Sequence, residues 1–212
     1  MFQEKKMYYE KRAQVLLKNL RGRRFEAYYC DNKEDALKKA LELIPKGASI
    51  SWGGAASARE IGLMDAVKHG EYRVLDRDTA ESLEEKARLM KQAQLCDVFL
   101  CGANALSLDG QMVNIDGVGN RVAAIAYGPE TVLVIAGMNK VMDTLEDAVR
   151  RARTVAAPIN KQRFPTQTPC HVTGSCANCH GDDCICNEVL ITRGTRVPGR
   201  IKFILVGEDL GF

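Results

Sequence analysis

The stretch from Leu106 to Lys140, LSLDGQMVNIDGVGNRVAAIAYGPETVLVIAGMNK, decides the fold prediction for this chain. It contains two Asp-Gly turns, a Gly-Asn-Arg sequence and a Gly-Pro sequence, followed by one apolar segment at 131–135 that we predict to be a strand. Glycine, aspartate and asparagine favour tight turns, and ligand-binding loops on α/β sheets are rich in them. We therefore expect a hairpin around Asp109-Gly110 that joins 105–108 to 111–115, followed by a ligand loop beside a buried strand.

Segments that read alternately as strands and helices lie on both sides of this stretch. Strands are predicted at 25–30, 49–52, 72–75, 97–101, 131–135, 188–192 and 200–206, and helices at 33–43, 57–68, 79–94 and 143–153. The apolar runs at 97–101 and 131–135 are typical of strands buried on both faces of a parallel sheet. The sequence therefore predicts an α/β fold, with a mixed or parallel sheet flanked by helices.

Composition shifts along the chain suggest four regions. Residues 1–24 are predicted to form a helix that packs on the core through Tyr8, Val15, Leu16 and Leu20. Residues 25–157 form the α/β core, 158–187 a cysteine-rich insert, and 188–212 strands that complete the core.

Composition and charge exclude several classes of partner. The net charge of +3 and the 6% of aromatic residues argue against a nucleic-acid surface. Val132 to Met138, the most apolar run, is too short to span a bilayer, and residues 1–6 do not resemble a signal sequence. We therefore expect a cytoplasmic protein without a membrane partner, and whether it forms a homodimer stays open.

The glycine-rich loop Ser51-Trp52-Gly53-Gly54-Ala55-Ala56-Ser57 is the first candidate binding element. It follows a predicted strand and opens a predicted helix, so its N–H groups can face an anion above the end of the strand. It lacks the Lys-Ser/Thr of a P-loop and the third glycine of a dinucleotide fingerprint. The loop therefore predicts either an anion site at Gly53, Gly54 and Ser57 or a turn that needs glycine for steric reasons.

Polar residues around the second Asp-Gly turn are the next candidates for a ligand loop. The candidates are Asn114, Asp116, Gly117, Gly119, Asn120 and Arg121. Aspartate and asparagine also cap their own turns, which is the alternative for Asp109, Asp116 and Asn120. Arg121 is suited to bind a carboxylate or phosphate through its guanidinium group, although an ion pair that holds the loop gives the same sequence.

Lys140 follows the buried strand at the edge where open α/β sheets bind ligands. A lysine there can neutralise an anion or, when desolvated, act as an acid or base. It can also simply cap a loop. We name Lys140 and Asp116 as candidate catalytic residues.

Five cysteines lie in the insert, at Cys170, Cys176, Cys179, Cys184 and Cys186. Thiolates this dense in a reducing compartment favour zinc or an iron–sulfur cluster over structural disulfides. Their spacing matches neither the ferredoxin run nor the zinc ribbon, so the metal stays open. Free thiols or a redox pair are the alternative. Cys30, Cys96 and Cys101 lie in or beside apolar segments and are expected in the core.

The motif DG-x-x-V-N-x-D-G-x-G-N-R, followed by GP-x-x-V and G-x-N-K, is similar to the lactate-utilisation (LUD) domain family. The resemblance extends from about Ser49 to the final VGEDLGF. It implies a fold of the ribose-phosphate isomerase, sugar-phosphate deaminase and CoA-transferase group. It also implies a role beside iron–sulfur partner proteins in oxidising lactate to pyruvate. The cysteine-rich insert departs from the general family pattern.

Three functional hypotheses follow from the residues and the resemblance. In the first, the chain is a subunit or accessory in the oxidation of a small hydroxy acid and binds a small anionic metabolite at the strand carboxyl ends. In the second, it is a stand-alone isomerase-like or CoA-transferase-like enzyme that acts on a phosphorylated or acyl-CoA substrate. In the third, it is a non-enzymatic scaffold braced by a metal.

Overall fold

The computed structural model describes all 212 residues, and ten strands and nine α-helices form its framework. The strands are β1 Glu26–Cys30, β2 Ser49–Gly53, β3 Arg73–Leu75, β4 Val98–Gly102, β5 Ala105–Ser107, β6 Met112–Asp116, β7 Thr131–Gly137, β8 Val141–Met142, β9 Glu188–Thr192 and β10 Ile201–Val206. The helices are α1 Gln3–Gly22, α2 Lys33–Leu43, α3 Ala56–Glu60, α4 Leu63–His69, α5 Leu83–Gln92, α6 Asn120–Ala126, α7 Leu145–Arg151, α8 Ala157–Lys161 and α9 Pro169–Thr173.

The main sheet has six parallel strands in the order β1-β10-β7-β4-β2-β3. Its central strands β4 and β7 are almost wholly buried, as expected where helices cover both faces of a parallel sheet. All six strands run in the same direction, so their carboxyl ends lie at one edge. This topology confirms the predicted α/β class with a parallel sheet flanked by helices.

Two hydrophobic layers cover the main sheet, one on each face. On one face, Leu16 and Leu20 of α1 pack in the same cluster as Phe99, Phe203 and Leu205. On the other face, Leu63 and Val67 of α4 join Leu100, Ile135 and Ile204 in a second cluster. Burial of apolar surface on both faces therefore fixes the position of the strand ends that carry the candidate site.

A second, smaller sheet with the order β8-β5-β6-β9 lies after the carboxyl end of β4. β5 and β6 form the hairpin predicted at Asp109-Gly110, with Leu106 paired to Met112. Gly110 has a φ of +93°, which favours glycine at this turn. The hairpin carries Asn114 and Asp116 toward the main sheet, and β9 pairs with β6 immediately after the cysteine-rich segment.

Three local predictions were wrong. The single helix predicted at 57–68 is two short helices, because Gly62 adopts a φ of +78° between α3 and α4. Residues 120–126, expected to remain in turns, form helix α6 after Gly119, which adopts a φ of +79°. In α1 the buried residues include Tyr9, Leu16 and Leu20, whereas Tyr8 and Val15 are exposed, because the buried stripe is rotated from the expected one.

The cysteine-rich segment runs from α9 to β9 over the second sheet. The buried Lys161 at the end of α8 donates to the Asp183 carbonyl at 2.9 Å and to the Thr166 hydroxyl, which ties the segment to the core. No helix of the structure combines the length and the apolar character needed to cross a membrane.

Candidate functional site

A cavity of about 400 Å³ opens where the carboxyl ends of β2 and β4 meet the hairpin strand β6. Seven of the residues predicted from sequence to form a site line it together: Gly53, Gly54, Asp116, Gly117, Asn120, Arg121 and Lys140. Ser57, Asn114 and Gly119 do not line the cavity themselves. The strand-end location and the mixture of polar and apolar walls are typical of a small-molecule site.

Gly53 ends β2 at a point where the chain approaches Arg121 too closely for a larger residue. A Cβ added to Gly53 would lie 2.9 Å from Arg121 Cβ and 3.1 Å from Phe99 Cζ. Gly54 follows with a φ of +52°. Both glycines therefore have steric reasons for their presence, and the bend they form is also a wall of the cavity.

Lys140 is the most unusual charged group in the cavity. Its side chain is 3% exposed, and its Nζ donates to Ser57 Oγ at 3.1 Å without forming an ion pair with any carboxylate. Burial lowers the pKa of Lys140 to about 7, the positive charges of Arg151 and Arg121 lower it further, and Glu60 opposes them. At neutral pH this amine is therefore poised between its neutral and charged forms.

Asp116 and Arg121 form an ion pair at the side of the cavity, with Asp116 Oδ2 3.2 Å from Arg121 Nε. Asp116 Oδ1 accepts from the N–H groups of Gly117, Val118 and Gly119 at 2.9–3.3 Å. Arg121 Nη2 donates to the Ile115 carbonyl, whereas Nη1 has no hydrogen-bond partner and faces Gly54. The pair therefore holds the loop, and one donor group of Arg121 stays available to a ligand.

The remaining predicted residues support the walls of the cavity. Asn114 is fully buried and donates to the Gly102 carbonyl at 2.9 Å, and its Oδ1 has no hydrogen-bond partner. With its amide oriented to suit its neighbours, Asn120 accepts from Arg77 Nη1 at 2.7 Å. Ser57 is fully buried behind the cavity surface, and its hydroxyl group accepts a hydrogen bond from Lys140.

Sequence reasoning missed three cationic residues of the cavity, namely Arg77, Lys86 and Arg163. Arg77 follows β3, Lys86 lies on α5, and Arg163 follows α8. No local motif marks them, and only the tertiary fold brings them to one opening. With Arg121 and Lys140 they outnumber the acidic lining residues Asp78 and Asp116, so the cavity favours an anion.

The five cysteines of the insert do not converge on one point. Cys176 is exposed and the other four are partly buried. Burial raises the pKa of Cys186 to about 12, and the thiols of Cys184, Cys170, Cys176 and Cys179 add to the effect. The soft sulfur donors suit zinc or iron. No group of three or more His, Cys, Asp or Glu side chains is arranged to hold a metal ion.

The insert is joined to the cavity by backbone contacts. A Cβ added at Gly117 would lie 3.5 Å from the backbone of Ile185, which lies between Cys184 and Cys186 and lines the cavity. Asn187 donates from its side chain to the Gly117 carbonyl at 2.8 Å and from its backbone to the Asp116 carbonyl at 2.9 Å. A change of conformation at the cysteines would therefore reach the Asp116 loop.

Several solved structures are similar to this chain, and the first of those described next supports the fold. A DUF162 family protein from Deinococcus radiodurans matches 93% of this chain and 97% of its own, with 13% identity and a TM-score of 0.53. Ribose 5-phosphate isomerase A from Neisseria gonorrhoeae matches 53% of this chain and 54% of its own, with 21% identity and a TM-score of 0.35. eIF2B delta from Chaetomium thermophilum matches 66% and 57%, with 16% identity and a TM-score of 0.37. No curated protein matches this chain.

The family model described as the LUD domain matches residues 13–206. This range contains both sheets, the glycine bend, the Asp116 loop and Lys140. The resemblance noted in the motifs is thereby confirmed, and the chain belongs to the LUD-domain family.

Proposed function

We propose that this protein binds a small carboxylate in the cavity and takes part, as a subunit or accessory, in a lactate-utilisation type of hydroxy-acid oxidation in the cytoplasm. The observation that carries the proposal is Lys140, a buried amine without a carboxylate partner at the wall of a cationic cavity. An anionic ligand would provide the counter-charge that the fold does not provide. Family membership supports the lactate-utilisation type of role.

Acid–base chemistry at Lys140 is the alternative to ion pairing, because an ammonium group that pairs with the ligand carboxylate keeps its proton. Oxidation of a 2-hydroxy acid to a 2-oxo acid releases two electrons and two protons, and one proton leaves the hydroxyl group. A lysine whose pKa is about 7 can accept that proton near neutral pH. Both oxygens of Asp116 already accept hydrogen bonds, so Asp116 is the less available base. The two electrons would pass to an iron–sulfur partner protein, and the second proton, which comes from the carbon that carries the hydroxyl group, would pass to solvent.

Calorimetric titration of lactate and glycerate against the wild type and Lys140→Met tests this proposal. We expect the variant to lose at least about ten-fold in affinity, because a charge-assisted contact contributes about 1.5–3 kcal/mol. Lys91→Met, an exposed lysine at the end of α5 that does not line the cavity, is the matched control and should bind like the wild type. Equal affinity of the wild type and Lys140→Met would remove Lys140 from the proposed site.

The stand-alone isomerase-like or CoA-transferase-like activity is a separate hypothesis, which turnover of a sugar phosphate or acyl-CoA by the isolated chain would favour. A metal-braced scaffold would contain bound metal and would bind no ligand in the cavity, and these two results together would distinguish it from the other two hypotheses.

We propose in addition that the cysteine segment takes up zinc or an iron–sulfur cluster. The number and proximity of soft sulfur donors support this, although the side chains would have to move together. Protein purified without oxygen is expected to contain stoichiometric zinc or iron, and visible absorbance separates colourless zinc from a brown cluster. Cys176→Ser combined with Cys179→Ser should remove the metal, whereas Cys30→Ser, in the core, should not. Metal-free protein in every preparation would contradict the idea.

A further inference from the structure

A smaller chamber of about 190 Å³ opens beside the main cavity. The two spaces share wall residues, including Gly54, Arg77 and Arg163, and are therefore neighbours at the same opening. Ten residues line this side chamber, among them Trp52, Arg59, Glu60, Arg77, Asp78 and Arg163.

The three arginines of the side chamber lack close ionic partners. Arg59 forms no ion pair, and Arg163 has only a hydrogen bond to Asn160 Oδ1 at 3.2 Å and a position over the Phe164 ring. The nearest carboxylate oxygen to Arg77 Nε is Asp78 Oδ1, at 3.9 Å. Most guanidinium donor groups are therefore free to bind an anion with several acceptor oxygens.

Two buried N–H donors at this chamber also lack acceptors. Trp52 is 3% exposed, and its Nε1 has no hydrogen-bond partner. Arg77 Nε is likewise buried without a partner. Buried donors without acceptors are rare in folded proteins because each one costs free energy, so two of them at one chamber point to an acceptor that a ligand would supply.

The two carboxylates of the chamber do not remove this preference for an anion. Glu60 Oε1 already accepts from the Gly211 N–H at 3.0 Å, and Asp78 is exposed to solvent. Three arginine side chains against two carboxylate side chains leave a net positive charge on the side chains of the chamber.

The size of the combined space also exceeds what a small hydroxy acid fills. A water molecule occupies about 30 Å³ of liquid, so the main cavity alone has room for roughly a dozen non-hydrogen atoms. Lactate has six. A larger ligand with a second anionic group would use both the main cavity and the side chamber.

We propose that the side chamber is a phosphate subsite and that the ligand is a small phosphorylated hydroxy acid, with its carboxylate at Lys140 and its phosphate at Arg59, Arg77 and Arg163. The placement of the carboxylate rests on the proposed function, whereas the phosphate subsite rests on the side chamber alone. The side chamber would therefore select hydroxy acids that carry a phosphate group.

Calorimetry with glycerate and 3-phosphoglycerate, which differ only by the phosphate, tests the proposal on the full chain. We expect 3-phosphoglycerate to bind the wild type at least about ten-fold more tightly, because two-point guanidinium–phosphate contacts are strong. Arg59→Gln and Trp52→Phe, which change residues of the side chamber outside the main cavity, should reduce this affinity ratio and leave the affinity for glycerate unchanged. Arg150→Gln, an exposed arginine of α7 outside both chambers, is the matched control.

The outcomes separate the subsite from the proposed function. The phosphate subsite would be overturned by an affinity ratio near one in the wild type, by a ratio that Arg59→Gln and Trp52→Phe leave unchanged, or by malate binding as tightly as 3-phosphoglycerate. Unchanged glycerate affinity in Lys140→Met would instead overturn the proposed function. If glycerate binds too weakly to measure, inorganic phosphate is titrated alone. The subsite is then overturned if the wild type binds no phosphate, or binds it no better than Arg59→Gln.

Discussion

A Lys140→Met variant is expected to be more stable than the wild type, with a free energy of unfolding about 1–4 kcal/mol higher at pH 6. The 3% exposed ammonium group has no carboxylate partner, so the folded protein carries the cost of its desolvation. Methionine has a similar length and removes the charge, and the loss of the Ser57 hydrogen bond offsets only about 1 kcal/mol. Urea denaturation monitored by circular dichroism measures the difference.

The stability gain of Lys140→Met should depend on pH. Between about pH 7 and the ordinary lysine pKa of 10.5, the folded wild type binds fewer protons at Lys140 than the unfolded chain does. The Lys140 contribution to the free energy of unfolding therefore rises with pH, and the advantage of the variant shrinks toward pH 10. Tyr29 and the buried thiols have raised pKa values and also titrate in alkaline solution, but they do so in both proteins. A gain that does not change with pH would contradict the assignment.

A variant that is more stable yet binds ligand less well is the expected signature of a functional lysine. Binding sites retain groups that destabilise the free protein, because the ligand provides their missing partner. The two measurements on Lys140→Met support each other, since a stable variant rules out misfolding as the cause of lost binding.

The parts of the fold that follow local patterns could be predicted from the sequence. The apolar, β-branched run at 131–135 predicts the buried strand β7, and the turn residues Asp109-Gly110 predict the hairpin. The break at Gly62 and the start of α6 after Gly119 each depend on one glycine with positive φ, which the helical pattern around it does not reveal.

The candidate site was predicted only where its residues lie in one glycine-rich stretch or at a strand end. Gly53, Arg121 and Lys140 were found in this way, and the structure brings them to one cavity. Arg77, Lys86 and Arg163 lie after a strand, on a helix and after a helix, where arginine and lysine are ordinary surface residues. These three residues come together only in the tertiary fold, so their spacing in the sequence does not predict that they share a cavity.

The Asp116–Arg121 pair provides the second large expected effect, because removing one partner leaves a nearly buried charge. The side chains are 9% and 13% exposed. Asp116→Asn keeps an oxygen for the three loop N–H groups and removes only the charge, and we expect it to lower the free energy of unfolding by about 3–5 kcal/mol. Arg121→Gln should also destabilise, since it leaves the Asp116 carboxylate without its cation.

A double-mutant cycle on this pair separates its structural role from a ligand role. The double variant should lose less stability than the sum of the single variants, with a coupling free energy of about 1–3 kcal/mol, because neither charge then remains unpaired. Additive losses would show that the pair does not hold the loop. If the pair is mainly structural, glycerate affinity per folded molecule should fall less in Arg121→Gln than in Lys140→Met, because only Nη1 of Arg121 is free. A larger loss in Arg121→Gln would make Arg121, and not Lys140, the principal anion-binding group of the cavity.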